Sequence, residues 1–273
     1  MPVLLWQDNL ASGSTNYNIA QGSYGDFLLR ISGTAVAGQT VALSDLGNVR
    51  LNVNGDDKVN VDFGFLNLVA NEYGGFIEND SAAGGAFNFS FIVPCHAWQD
   101  SLNVYHFGPN DKAYFNAVYA STLAAKVSVG TITIEATPKQ GIQTYYHKLL
   151  NQNVNASGAG QISNTINQPN IIELYLKDPA ALTTTMQFSK DGIEKVNSLT
   201  TAEVSYSNWI HLLESAVTFY AYEFAPSGNL NEANSQQLSY KYLFSGAGLL
   251  EQYYSAIEWS TAKQIESTQT LQR

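Results

Sequence analysis

The stretch NVRLNVNGDDKVNVDFGFLNL, residues 48–68, decides the fold class of this chain. Its first half alternates apolar and polar side chains, which is the period of a half-buried strand. Asn54-Gly55 follows, a pair that tolerates positive φ and forms the two-residue turn of a β-hairpin. The alternation then resumes at Val59 and Val61. The stretch therefore predicts a β-hairpin.

A second stretch, TMQFSKDGIEKVNSL at residues 185–199, repeats this pattern. Met186 and Phe188 alternate with polar residues, a turn follows at Asp191-Gly192, and apolar residues resume beyond it. Further strands are predicted by the same criteria at residues 24–31, 40–43, 87–93, 101–107, 127–136, 171–176, 217–224 and 252–259. The strands 87–93 and 217–224 are each followed by proline, at Pro94 and Pro226, which ends a strand.

Helical spacing appears in fewer places. Apolar residues three and four apart predict a helix over residues 110–125, with Asn110 as its N-cap. Residues 145–150 fit a helical turn, and residues 207–214 fit a short helix capped by Ser207. Residues 231–244 fit either a helix or a strand, and their correspondence with residues 110–125 favours a helix.

The two halves share one order of elements, which predicts an internal duplication with a unit of about 130 residues. Many strands with long returns fit an eight-stranded jelly roll. We therefore expect an all-β protein made of two tandem eight-stranded jelly rolls, with short helices in the loops. The expected domains are residues 1–140, including an N-terminal arm at 1–22, and residues 171–273, including a polar tail. Residues 141–170, rich in Asn, Gln, Ser and Gly, are expected to form a linker.

Composition excludes several classes of function. The formal net charge is −10, and no run of Lys or Arg is present to bind nucleic acid phosphates. Cys95 is the only cysteine, so we expect neither a disulfide framework nor a thiolate zinc site. The N-terminus lacks the features of a secretory signal, and no stretch is long enough to span a bilayer. We expect a soluble chain whose 12% aromatic and 13% charged residues favour close-packed interfaces.

The sequence contains few candidates for catalytic or metal-binding residues. The four histidines have no spacing typical of a metal site, and we expect structural roles for His96, His106, His147 and His211. Cys95-His96 resembles a nucleophile and its base, but adjacent strand residues point to opposite faces and would not meet. Our expectation is no catalytic residue, no cofactor-binding residue and no metal ligand.

The acidic and aromatic residues also fit structural roles better than functional ones. Asp56, Asp57 and Asp62 with Asn54 fit a solvated turn and fail the EF-hand spacing. An intersubunit Ca²⁺ at these carboxylates stays open. Glu251 and Glu258 are seven apart and so face opposite sides of a strand, which argues against a glycosidase pair. The aromatic rows are expected to form core and interface: Phe87, Phe89 and Phe91 in one half, and Phe219 with Tyr220 and Tyr222 in the other.

With these elements in place, the chain resembles the double jelly-roll major capsid proteins of tail-less, membrane-containing icosahedral bacteriophages, of the corticovirus type. The resemblance covers most of residues 24–136 and 171–259. It rests on strand and turn patterns, namely YGDFLLRISG (24–33), NVRLNVNG (48–55), FNFSFIVP (87–94), MQFSKDG (186–192), VTFYAYEFAP (217–226) and YSAIEW (254–259). The chain departs from the pattern in two respects, because it has no long N-terminal amphipathic helix and its loops after the hairpins differ in composition.

The resemblance implies a structural coat protein rather than an enzyme. Such a chain would assemble as trimeric, pseudo-hexagonal capsomers into an icosahedral shell around an internal membrane. It implies contacts with neighbouring capsomers, with vertex (penton) and minor capsid proteins, and lightly with the membrane, but not with the genome. The location implied is the virion, after synthesis in the host cytoplasm. A β-sandwich carbohydrate-binding module, such as a phage spike or lectin, is the alternative, and a β-sandwich hydrolase is a third hypothesis.

Overall fold

The computed structural model describes residues 2–10, 14–69, 79–81, 83–97, 103–139, 141, 143–178, 180–200, 219–224 and 235–259. Strands make up most of the described residues and the helices among them are short, which confirms an all-β protein with short helices. The chain divides into two compact units. Unit 1 contains the described residues up to His147 together with Trp259, and unit 2 runs from Lys148 to Glu258.

The described part of unit 1 contains two antiparallel sheets and three short helices. Its strands are β1 (Val3–Asn9), β2 (Ser14–Asn18), β3 (Gly22–Ala35), β4 (Asn48–Val53), β5 (Asp56–Asp62), β6 (Asn79–Ser81), β7 (Ala86–Val93), β8 (Tyr105–Phe107), β9 (Ala113–Val118) and β10 (Val127–Pro138). The helices are α1 (Leu43–Leu46), α2 (Phe63–Val69) and α3 (Leu123–Lys126). One sheet has the order β1-β10-β3-β7-β6, with β8 paired to β3, and the other contains β5-β4-β9-β2. Among the described helices, none is long and apolar enough to cross a bilayer.

Aromatic side chains join the two sheets of unit 1. Phe27 on β3 meets Phe115 on β9 with ring centroids 5.0 Å apart and an edge-to-face geometry. Phe63, at the start of α2, lies 4.8 Å from Phe91 on β7. Such pairs add about 0.5–1.5 kcal/mol beyond the apolar area that they bury. The aromatic row on β7 is therefore core, as predicted.

Unit 2 has the same construction. The strand β11 (Tyr145–Asn151) crosses the boundary, and the unit's own strands are β12 (Val154–Ala156), β13 (Gly160–Ile166), β14 (Ile171–Lys177), β15 (Thr183–Lys190), β16 (Ile193–Thr200), β17 (Phe219–Glu223), β18 (Leu238–Phe244) and β19 (Gly248–Trp259). One sheet contains β17-β14-β19, with β12 paired to β19, and the other has the order β13-β18-β15-β16. Phe188 and Tyr242 lie in the core between them.

The two predicted hairpins are confirmed, and they are alike. Asn54 and Gly55 have φ values of 56° and 89° between β4 and β5. Asp191 and Gly192 have φ values of 49° and 79° between β15 and β16. Two consecutive residues at positive φ form the turn whose twist matches that of paired strands. The equivalent match of Pro94 with Pro226 lies partly outside the described residues, as does the helix expected at 207–214.

Two predicted helices are strands. The helix expected over residues 110–125 is instead β9, followed by the single turn of α3. The helix favoured over residues 231–244 is instead β18, in which Leu238, Tyr240, Tyr242 and Phe244 alternate with exposed residues. In both segments buried side chains recur at every second residue, because each strand buries one face against the opposite sheet. The helical turn expected at 145–150 is likewise the strand β11.

The segment expected as a linker also contains strands. Residues 141–170 include β12 and β13, and Val154, Ala156 and Ile166 belong to the core of unit 2. The amide and hydroxyl side chains that suggested a linker point outward, since Gln161 and Ser163 are exposed on β13. Sparse apolar residues are sufficient here because only one face of the strand is covered.

The N-terminal arm, expected as a loop at residues 1–22, contributes a strand to each sheet of unit 1. β1 pairs with β10, and β2 pairs with β9. Tyr17 on β2 is buried and lies 6.1 Å from the ring of Trp6. The Trp6 indole Nε1–H donates to the carbonyl of Asn18, which connects the two strands.

Candidate functional site

A cluster of polar side chains lies just beyond the end of β7. Antiparallel pairing of β3 with β7 places Phe27 opposite Val93. The next residue, Pro94, has no N–H to donate, so the ladder ends there. The chain turns at Cys95 and His96, and the Cys95 N–H donates to Asp26 Oδ1 at 2.9 Å. The strand register thus brings Asp26 to this turn.

The side chains of Asp26 and His96 are in hydrogen-bonding contact. His96 Nδ1 lies 3.0 Å from Asp26 Oδ1, and the two side chains are 12% and 33% exposed respectively. Burial acts to raise the pKa of Asp26, but the contact with His96 and the Cys95 N–H outweigh it and lower that pKa below its usual value. Asp26 is therefore an anion at neutral pH with one edge open to solvent.

Cys95 is fully buried beside this pair. Its Sγ donates to the carbonyl of Asn103 at 3.4 Å. Burial, and secondarily the neighbouring Asp26 carboxylate, raise the pKa of the Cys95 thiol well above its usual value. Without a bound cation the group is a neutral thiol, which is a poor nucleophile.

Asn103 fixes the turn. Its Nδ2 donates to the carbonyls of Cys95 at 2.7 Å and of Tyr145 at 3.1 Å, while its Oδ1 accepts from the Thr144 N–H at 3.0 Å. The Tyr145 hydroxyl in turn accepts from the Ala97 N–H at 3.1 Å. A fully bonded buried network of this kind holds one backbone arrangement.

The structure corrects the prediction that Cys95 and His96 point apart. They lie in a turn after the strand, so the alternation of strand side chains does not apply to them. Their donor atoms and that of Asp26 all lie within 4.8 Å of one another. Sequence reasoning missed Asp26 because only the β3–β7 register brings it here.

The remaining histidines are dispersed. His147 is buried near the cluster, with Nδ1 3.4 Å from the carbonyl of Pro94, and burial lowers its pKa to about 3. His106 on β8 pairs with Ser23 Oγ at 2.7 Å. His211 lies outside the described residues. Neither His147 nor His106 adds a second histidine donor to the cluster described above.

The acidic residues of the first hairpin have separate protein partners. Asp56 pairs with Lys58 at 2.7 Å, and Asp57 Oδ1 accepts from Asn52 Nδ2 at 2.9 Å. Asp62 Oδ1 accepts from the Phe65 N–H at 2.8 Å, which satisfies a donor in the first turn of α2. Asn54 bonds to Asp111 across to the next loop. An intersubunit Ca²⁺ at these carboxylates stays a prediction.

The two glutamates of β19 are each bound to lysine. Glu251 lies 2.7 Å from Lys177, and Glu258 lies 2.8 Å from Lys148. Each carboxylate is thus neutralised by its own cation, an arrangement unlike the facing pair of a glycosidase. Of the second aromatic row, Tyr222 packs 5.6 Å from Phe188 at the core, while the side chains of Phe219 and Tyr220 lie outside the described part of the chain.

An apolar surface lies on β1, at the end of its sheet. β1 pairs with β10 along one edge and is the terminal strand in the sheet order. Val3, Leu4 and Trp6 are 40%, 56% and 40% exposed. Edge strands of soluble proteins are usually protected by charges or prolines, whereas this one presents large apolar side chains. Large apolar side chains exposed on an edge strand are typical of a contact site.

The fold is the double jelly roll of viral major capsid proteins. The major capsid protein P2 of bacteriophage PM2 matches with a TM-score of 0.67 and 17% identity, covering 96% of this chain and 100% of that one. The STIV MCP matches with a TM-score of 0.72 and 12% identity, covering 96% and 98%. A PBCV-1 virus capsid structure matches with a TM-score of 0.65 and 10% identity, covering 94% and 92%.

These matches confirm the predicted fold class over nearly the whole chain. No protein-family model matches the sequence, and no curated protein matches it. The similarity is therefore one of structure, at identities between 10% and 17%. The structures compared give no support to the carbohydrate-binding alternative, since each is a capsid protein.

Proposed function

We propose that this chain is the major coat subunit of an icosahedral virus with an internal membrane. One observation carries the proposal, namely the match of almost the entire chain to almost the entire length of several major capsid proteins. Full coverage of both chains leaves little of either unaccounted for, as expected when the whole protein performs one structural task. The proposed location is the virion shell, after synthesis in the host cytoplasm.

The proposed assembly is a homotrimer of two-lobed subunits, which presents six lobes and forms a pseudo-hexagonal capsomer. Threefold closed symmetry turns such subunits into a near-hexagonal tile. Permanent interfaces of this kind bury about 2,000–5,000 Å² and resemble a protein core. The exposed apolar residues of β1 and the low charged fraction of 13% support a chain that is covered on several sides in its working state.

Further partners follow from the same proposal. The coat subunit would contact neighbouring capsomers, vertex and minor capsid proteins, and the internal membrane lightly. The net charge of −10 argues against contact with the genome, and against a large contact with an anionic membrane surface. The role is structural rather than catalytic, and the pairing of Glu251 and Glu258 with lysines supports this.

The experiment that tests the proposal is the mass of the purified protein at low micromolar concentration, with and without a chelator. A mass near three times 29.8 kDa is expected from light scattering, with hexagonal particles in negative-stain micrographs. A monomer under both conditions would overturn the coat proposal. A trimer that dissociates in chelator and re-forms when Ca²⁺ is added back would support an intersubunit Ca²⁺, whereas a trimer that persists in chelator would rule that ion out.

A further inference from the structure

We propose that Asp26, Cys95 and His96 bind a zinc ion within unit 1. Their donor atoms lie within 4.8 Å of one another, and Asp26 Oδ1 is 3.0 Å from His96 Nδ1. Ligands of a tetrahedral zinc ion at about 2.0–2.3 Å from the metal lie about 3.3–3.5 Å from one another. Small side-chain rotations are therefore sufficient to bring all three donors to one ion.

The donor set selects the metal. A thiolate sulfur, an imidazole nitrogen and a carboxylate oxygen are the three ligand types that zinc takes in proteins. Calcium and magnesium prefer oxygen ligands alone, and would gain nothing from the sulfur of Cys95. Three protein ligands leave a fourth position of the tetrahedron for water or for an added ligand.

The backbone around the donors is already fixed. Asn103 bonds to the Cys95 carbonyl at 2.7 Å, and Asp26 Oδ1 accepts the Cys95 N–H at 2.9 Å. The second of these bonds links two of the three ligand residues, so it orients the carboxylate toward the turn. Contacts of this kind, outside the metal's own ligands, set the orientation of ligand side chains in zinc proteins. The turn would therefore lose little conformational entropy when it binds the ion.

The three ligand side chains differ in their exposure to solvent. The Asp26 side chain is 33% exposed and that of His96 is 12% exposed, whereas Cys95 is fully buried. An ion can enter beside the carboxylate and reach the sulfur at the inner end of the cluster. Binding transfers the thiol proton of Cys95 to solvent and requires the neutral His96 tautomer with its proton on Nε2, so that Nδ1 can ligate in place of its contact with Asp26 Oδ1. The formal charge of the occupied site is then zero, from Zn²⁺ balanced by one thiolate and one carboxylate.

The inference differs from the coat proposal, because the three ligands lie within one chain and need no neighbour. Zinc here would stabilise the turn that follows β7, whatever the chain assembles into. Its test therefore uses the purified full-length protein, and the mass of the particle is measured separately.

The direct measurement is zinc content and affinity. After treatment with chelator and dialysis, the protein is titrated with Zn²⁺ in a calorimeter and with Co²⁺ in a spectrophotometer. We expect one Zn²⁺ per chain with a micromolar or tighter dissociation constant. Co²⁺ should give a sulfur-to-cobalt charge-transfer band together with the visible bands of a tetrahedral site. Absence of stoichiometric Zn²⁺ binding by the wild-type protein would overturn the proposal.

Three variants locate the ion. Cys95→Ser, His96→Gln and Asp26→Asn should each weaken Zn²⁺ binding at least about tenfold, by analogy with losses at zinc sites. Cys95→Ser should also abolish the charge-transfer band. His106→Gln removes a histidine outside the cluster and should bind Zn²⁺ as the wild type does.

Circular dichroism checks that each variant is folded. If the buried Cys95→Ser change prevents folding, the more exposed His96→Gln and Asp26→Asn variants test whether the cluster binds Zn²⁺. Unchanged Zn²⁺ affinity in these two variants would overturn the proposal. An equal loss in His106→Gln would do so as well, because it would indicate adventitious surface binding.

Discussion

At the scale of single residues, Asp45 carries a buried negative charge that is bonded on both oxygens. Lys126 Nζ lies 2.8 Å from each oxygen, Thr122 Oγ1 donates at 2.9 Å, and the Ala42 N–H donates at 2.8 Å. Burial acts to raise the pKa of Asp45, but these donors, Lys126 foremost, lower it below its usual value. The carboxylate therefore joins α1 to the segment that contains α3.

We predict that Asp45→Asn lowers the free energy of unfolding by about 2–3 kcal/mol at pH 7, because it leaves the Lys126 ammonium without its anion. Lys126 is 29% exposed and can partly turn to water, which limits the loss. The matched control is Glu135→Gln, which breaks the more exposed 3.8 Å contact with Arg30 and should change stability by no more than about 0.5 kcal/mol. Equal urea midpoints for the two variants would contradict the prediction.

His147 provides a prediction for pH. Its pKa is about 3 in the fold, where burial disfavours the cation, against 6.5 for an ordinary histidine. Between these values the unfolded chain binds a proton that the folded chain does not. The stability contributed by neutral His147 is therefore complete above about pH 6.5 and is lost as pH falls, at about 1.4 kcal/mol per pH unit.

The measurement is urea unfolding between pH 6 and pH 5 at a fixed protein concentration. His147→Gln keeps a donor of similar size that does not titrate, so its pH slope should be smaller by about one proton. A slope in His147→Gln equal to that of the wild type would show that another group binds the proton.

At this scale the sequence identified Cys95 and His96 as a notable pair but could not place Asp26 beside them. Asp26 lies about seventy positions before Cys95 and His96, and only the register of β3 against β7 joins it to them. Asn103, which fixes the turn, carried no sequence signal because it stood within the predicted strand 101–107, where a single polar residue is common. Long-range register is a property of the whole sheet, and local pattern does not determine it.

At the scale of elements, the hairpin turns were readable because glycine at positive φ is a local requirement. Gly55 and Gly192 have φ values of 89° and 79°, and an added Cβ would meet nothing within 4 Å at either position. Replacement by alanine therefore costs only the strain of the left-handed backbone, about 1 kcal/mol at each turn. Because the two turns belong to different units, the losses should add in the double variant.

Gly158→Ala is the matched control, because an added Cβ there also meets nothing within 4 Å and no left-handed φ is required. It should leave the midpoint of thermal unfolding unchanged or slightly raised. Differential scanning calorimetry of the three single variants and of the Gly55→Ala/Gly192→Ala double variant makes the comparison. A loss in Gly158→Ala as large as in Gly55→Ala would show that positive φ is not the cause.

Strands rich in tyrosine or amides were harder to predict. β18 contains LSYKYLF, whose alternation was outweighed by its correspondence with residues 110–125, and β9 contains AYFNAV, part of a stretch with apolar residues three and four apart. Each became a strand because a neighbour was available, β15 for β18 and β4 for β9. β13 was missed because its outer face is polar and only Ile166 is fully buried. Tertiary pairing outweighed local preference in all three cases.

At the scale of the whole molecule, the duplication was predictable and the exposed N-terminal strand was not. Two hairpins with the same turn chemistry defined two like units, and the full-length matches to capsid proteins confirm the double jelly roll. β1 was expected as a loop, since its polar second half and short apolar run lacked a clear period. A bulge between Leu4 and Trp6 interrupts its pairing with β10, which explains the missing alternation.

The apolar surface of β1 leads to the final prediction, which rests on the proposed coat function. Leu4 is 56% exposed, with Val3 and Trp6 exposed beside it on the same edge strand. Burying a leucine side chain contributes about 1.5–3 kcal/mol, and a closed trimer would bury three copies. If this surface lies at a subunit seam, Leu4→Lys should raise the concentration for half-assembly by at least about a hundredfold while leaving the subunit's own fold intact, because an exposed side chain contributes little to it.

The control is Ile193→Lys, which places the same charge on a residue that is 65% exposed at the second hairpin turn. A single exposed apolar residue is ordinary on a protein surface, so this variant should assemble as the wild type does. Sedimentation velocity over a series of protein concentrations measures the assembled fraction of each variant, and far-ultraviolet circular dichroism measures its fold. Full assembly of a folded Leu4→Lys protein would show that β1 does not lie at the subunit seam. The coat proposal would then be tested by the mass measurement alone.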